Sequence, residues 1–126
     1  NLLDVDHSAV DWNGKKQKDT SGEENTIAIP GFEKVTLYAN ETTQAVNFHN
    51  PEINDCYFKI SLIHPDGSVL WISDLIEPGK GMYSIELEKT LAVGEYENAV
   101  LKYECFSLND QSPLNGSEIN LKLVVV

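Results

Sequence analysis

The chain is short of positive charge, of cysteine and of helical periodicity, and each shortage removes a class of function. Nine Lys and Arg stand against twenty Asp and Glu, a net charge of −11. Phosphate backbones and anionic membrane surfaces repel so acidic a chain, which excludes nucleic acid as a partner. The surplus of acid is read as solubility rather than as a cation-binding device. No apolar run reaches the roughly 18 residues needed to span a bilayer. The closing stretch, Leu121 to Val126, is far too short and reads as a final strand. The domain itself is therefore expected to lie outside the membrane. The first residue is Asn1 rather than methionine. A signal peptide or membrane anchor is a common upstream segment to be removed, so any anchor is expected before Asn1.

The motifs of catalysis are missing as well. No Gly-x-Ser-x-Gly occurs, and the three histidines, His7, His49 and His64, are scattered, two of them beside turn prolines or Asn-Pro. Carboxylate pairs abound, as twenty acids in 126 residues must produce. None can be placed at a catalytic separation from sequence. Two isolated cysteines lack the paired spacing that zinc requires. Asp4, Asp6 and Asp11, or Asn109 and Asp110, carry oxygens suited to calcium but lack the spacing of a defined calcium loop. No catalytic residue, metal or cofactor is expected, and the chain is read as not an enzyme.

What the sequence does contain is strand pattern. Its 126 residues are 41% hydrophobic, enough for one domain with a single core. Residues 1 to about 25 carry Lys15, Lys16, Lys18, Asp19, Glu23 and Glu24 with few apolar residues, and read as an N-terminal tether or arm. Val10, Trp12 and Leu2-Leu3 are the exceptions that can dock. Residues 26–126 form the domain. Strands are expected near 26–29, 34–39, 44–49, 56–63, 68–73, 82–88, 95–107 and 117–126. His64-Pro65-Asp66-Gly67 is a hairpin turn, with Pro65 pre-setting φ and Gly67 supplying the left-handed residue. Glu77-Pro78-Gly79-Lys80-Gly81 is a second turn, and Asn50 to Asp55 a crossing loop. Seven to eight strands at this spacing point to an all-β, antiparallel, two-sheet immunoglobulin-like sandwich.

Alternation assigns the faces. Cys56, Phe58, Ile60 and Leu62 share an inward face, as do Ile119, Leu121, Leu123 and Val125. Ala99, Leu101, Tyr103 and Cys105 also point inward, which leaves Tyr96 out of phase by one residue. A β-bulge at Glu97-Asn98 restores it. Cys56 and Cys105 thus sit on inward faces of neighbouring strands, where a disulfide or two buried thiols are both open. The strand near 44–49, which carries one cysteine in the usual inter-sheet pairing, has none. Trp71, Tyr57, Tyr83 and Phe106 include rings that alternate onto the outer face and make an aromatic platform. Trp71 in the core, or covered by the N-terminal arm, is the competing reading. Asn109 and Asp110, in the Asn109–Gly116 connection, form a second candidate contact.

Asp11-Trp12-Asn13-Gly14, Ile29-Pro30-Gly31, Val46-Asn47-Phe48-His49-Asn50-Pro51, Cys56-Tyr57-Phe58, Leu75 to Gly81 and Gly94-Glu95-Tyr96 together resemble one pattern. It is similar to a family of small, uncharacterised, membrane-anchored or secreted surface proteins of Gram-positive gut bacteria, and covers nearly the whole chain. Asn98 departs from the tighter spacing of that pattern, in keeping with the bulge. The resemblance implies an exported domain behind a single membrane anchor, with no catalytic residues to carry over. The expected function is that of a cell-surface interaction or accessory domain binding an unknown protein or glycan. The alternatives are a carbohydrate-binding module and a domain presenting a protease-inhibitor-like loop.

Overall fold

A computed structural model describes residues 4–12 and 34–126. These carry β1 (Val10–Asp11), β2 (Lys34–Leu37), β3 (Thr43–His49), β4 (Cys56–Ile63), β5 (Val69–Ile72), β6 (Lys80–Glu86), β7 (Gly94–Ser107) and β8 (Pro113–Val125), with no helix among the described residues. The expected strand at 26–29 and the boundary near residue 25 lie outside the described residues. The protein is all-β, with two sheets ordered β1-β6-β3 and β2-β8-β7-β4-β5.

The expectation of a wholly antiparallel sandwich is corrected at one edge. β2 pairs with β8 in parallel, from Lys34↔Lys122 to Leu37↔Val125, while the other strand pairs are antiparallel. Chain order explains the exception. A two-residue hairpin can join only antiparallel neighbours, and here most of the domain separates β2 from β8, so no short turn dictates their sense.

Between the sheets lies one core. Phe58, Ile60, Leu62, Leu101, Leu123 and Phe48 are fully buried in it. The expected alternation holds in β4, β7 and β8: Cys56, Ala99, Tyr103, Cys105, Leu121 and Val125 are all buried. The Phe58 and Tyr103 rings meet edge to face, with centroids 5.1 Å apart. The bulge also stands. The β7–β8 register shifts between Tyr96 and Ala99, Asn98 is the left-handed residue with a φ of 65°, and Tyr96 lies opposite the buried Leu123. The Tyr96 hydroxyl donates to the Ala92 carbonyl at 2.7 Å.

The turns follow their residues. Gly67 has φ 92°, and the Gly67 amide donates to the His64 carbonyl at 2.8 Å. Asp66 accepts from both the amide and the hydroxyl of Ser68, which pulls its carboxyl down to about 2. Gly79, at φ 83°, ends the second turn early enough for Lys80 and Gly81 to join β6, so that strand begins at 80 rather than 82. The loop before β4 is built on buried asparagine. Asn50 donates its side-chain amide to the carbonyls of Cys56 (2.8 Å) and Ile76 (2.9 Å), and its own oxygen accepts from Asn54.

Candidate binding surface

Directly opposed residues on neighbouring antiparallel strands share a face. Tyr57 of β4 lies opposite Phe106 of β7, and Phe106 lies opposite Pro113 of β8. The three rings therefore form one row across three adjacent strands on the outer face of the five-stranded sheet. Strands stand about 4.8 Å apart, so the row is roughly 10 Å long. The rows beneath it are charged. Lys59 pairs with Glu104, and Lys102 with Glu118.

Beside the row opens a cleft of about 460 Å³, walled by Phe106, Pro113, Glu104, Lys102, Glu118 and Ser117 among others. The strand itself makes room for it. The register between β7 and β8 shifts again between Tyr103 and Cys105, and β8 is exposed from Pro113 to Glu118. Gly116 permits the close approach there, since a side chain at that position would drive its Cβ into the Tyr103 carbonyl oxygen.

The Asn109–Gly116 connection is shorter than the sequence implied, because β8 already begins at Pro113. What remains is a pinned turn. The Gln111 amide donates to the Ser107 carbonyl and the Ser107 amide to the Ser112 carbonyl, both at 2.9 Å. The Asp110 carboxylate accepts from the Ser112 amide at 3.0 Å, and its hydrogen bonds from Ser112 hold its pKa below the usual range. The Asn109 amide donates to Ser107 Oγ. Asn109 and Asp110 thus shape the turn at the end of β7, next to the ring row.

The structure does not bring the other two candidate rings to this surface. Trp71 is 7% exposed and packs on Phe48 in the core, with ring centroids 5.7 Å apart. It has no face to offer a ligand. The reason is a register shift between Leu62 and Ile63 against β5, which places both Leu70 and Trp71 inside. Tyr83 is exposed, but on β6 in the three-stranded sheet. Pro113 was not singled out from sequence as a ring of the row, since nothing local shows that it stands opposite Phe106.

A second aromatic cluster lies on the three-stranded sheet, and the chain closes it with its own N-terminal segment. Val5 bridges to Leu75, and Val10–Asp11 pairs with Lys80 and Gly81. The Trp12 ring then stacks on His49 with centroids 3.8 Å apart and planes 7° from parallel. Its indole N–H donates to the Asn47 side-chain oxygen at 2.5 Å. His49 ends β3 beside the Asn50-Pro51 loop, as the sequence implies, but it is 4% exposed, and burial lowers its pKa from 6.5 to about 4. Gly81 makes the fit possible: a Cβ there would come within 2.9 Å of Trp12 and 2.7 Å of the Phe48 carbonyl oxygen.

Both cysteines are buried free thiols. Cys56 lies opposite Ser107 and Cys105 opposite Phe58, so the two are diagonal neighbours rather than a directly opposed pair. Of the acids considered for calcium, Asp6, Asp11 and Asp110 serve the fold. Asp6 accepts from the amides of Ser8 and Asp74, and Asp11 pairs with Lys80 at 2.9 Å. Among the described residues no group of three or more His, Cys, Asp or Glu is placed to hold a metal ion.

Comparison with protein-family models, with curated proteins and with solved structures gives no match.

Proposed function

We propose that the chain is a non-catalytic binding domain of the cell surface that takes a protein or glycan on the outer face of β4, β7 and β8. The observation that carries this reading is the row Tyr57, Phe106 and Pro113 beside the cleft. Aromatic rings gathered on a sheet face and rimmed by polar residues are the composition of a recognition surface rather than of a solvated one. The immunoglobulin-like assignment is part of the same proposal. In its support, the order β8-β7-β4-β5 follows the G-F-C sheet with the added C′ strand, and β3–β6 follows the B–E pair. Placement outside the cell, behind a membrane anchor, rests on the resemblance in the sequence to surface proteins of Gram-positive gut bacteria.

A carbohydrate is the reading favoured within this class by one observation: Lys59, Lys102, Glu104 and Glu118 fill the two rows next to the rings. A sugar presents apolar C–H faces to stack on rings and hydroxyls around its edge for charged partners. The pinned turn 108–112 argues for the sheet face over a protruding inhibitory loop. The test is a screen of the folded domain on defined glycan and protein arrays, with a Tyr57→Ala/Phe106→Ala double variant in parallel. Binding lost in a variant that remains folded supports the site, and binding retained at full strength refutes it.

A further inference from the structure

Cys56 and Cys105 are the chain's two cysteines, each 1% exposed, on the inner faces of adjacent strands. They are two residues out of register, yet their thiols meet and share a hydrogen bond. That bond favours a thiolate on Cys56 and holds the Cys105 proton above its ordinary pKa, with burial adding to the second effect. Cys56 is the first residue of β4 and Cys105 lies two residues before the end of β7, so the pair sits near strand ends, where local opening is cheapest. A disulfide needs its Cβ atoms about 3.5–4.5 Å apart, closer than diagonal cross-strand neighbours ordinarily stand. Bridging must therefore draw the ends of β4 and β7 away from their resting geometry, and a bridge under such strain is the more easily reduced.

We propose that Cys56 and Cys105 form a reversible dithiol–disulfide site, bridged by small-molecule disulfides and reopened by small-molecule thiols while the domain stays folded. One cysteine thiolate attacks a sulfur of the small disulfide, forming a mixed disulfide and expelling one small thiolate. The other cysteine gives up its proton and attacks the protein-side sulfur, forming the Cys56–Cys105 bond and expelling the second small thiolate. The protein loses two protons and two electrons, and the disulfide becomes two thiols. The proposal is independent of the binding surface, although each cysteine immediately precedes a ring of the row, Tyr57 and Phe106 respectively.

The experiment treats folded protein with oxidised glutathione, then with excess reduced glutathione, without denaturant. Intact mass and alkylation are read at each stage. The expected result is loss of two hydrogens with no retained adduct and no covalent dimer, then return of both alkylatable thiols under native conditions. Cys56→Ser and Cys105→Ser variants should each show one thiol and no internal bridge. Two thiols that persist through oxidation, or a stable glutathione adduct, would overturn the proposal. So would a bridge that reduced glutathione opens only after unfolding, since that is a permanent staple.

Discussion

The two aromatic clusters of this domain are built alike and finished differently. On the three-stranded sheet, His49 and Asn47 of β3 lie under Trp12, and the chain's own residues 5–12 cover them with strand pairing, ring stacking and a hydrogen bond. On the five-stranded sheet, Tyr57, Phe106 and Pro113 are left half-exposed or exposed beside a cleft. An aromatic sheet face gains from being covered. One face has an intramolecular cover, and the other, among the described residues, offers its rings outward. The first cluster serves stability, the second is the one we propose for recognition, and substitutions should separate them.

The largest effect belongs to neither cluster but sets the scale. Trp71→Ala removes a buried ring, and should cost about 3–5 kcal/mol in urea or guanidinium unfolding. A near-neutral result would return Trp71 to the surface. Next is the acid response of the covered cluster. Burial holds the His49 pKa near 4 against an ordinary 6.5, so the unfolded chain binds more protons between those values. The stability this contributes is complete above pH 6.5 and is lost as the pH falls towards 4, by an amount on the order of 2 kcal/mol. Unfolding of His49→Gln and native protein at pH 7 and pH 4.5 isolates the term, and equal pH dependence in both would remove it.

Trp12→Ala comes third. It deletes one stacked ring and one hydrogen bond, together about 1–2 kcal/mol. The melting temperature reads it, and no change would mean that the N-terminal segment is a cover in geometry alone. Smallest in stability is Phe106→Ala, under about 1 kcal/mol because the ring already faces partly outward. The same substitution should have the greatest effect on binding.

Strand positions were legible because the alternation is regular where one face is buried. Leu121, Leu123 and Val125 against Asn120 and Lys122 leave little choice of face. Even the bulge at Glu97-Asn98 was readable, since Tyr96 had to change phase to pack. Pairing between distant strands was not. Nothing in Lys34-Val35-Thr36-Leu37 says that it lies parallel to the last strand, and nothing in Cys56 or Cys105 gives a register two residues apart. Alternation could not decide between Trp71 as an outer ring and Trp71 as core, because a four-residue strand is too short to survive a register shift, and the core reading is the one that holds. The place of His49 at the end of its strand was legible, but its burial was not, because its partner, Trp12, lies 37 positions away in a segment whose composition reads as a tether. The ring row was half visible: Tyr57 and Phe106 were flagged as outer aromatics, but only the β4–β7–β8 register joins them to Pro113.

The most direct test of the central claim is equilibrium binding of the native domain and of the Tyr57→Ala/Phe106→Ala variant, on the same glycan and protein arrays, with melting temperatures measured alongside. The account expects a defined ligand captured by the native domain and lost by the variant, whose melting temperature stays within a few degrees. Capture undiminished in a folded variant would contradict it.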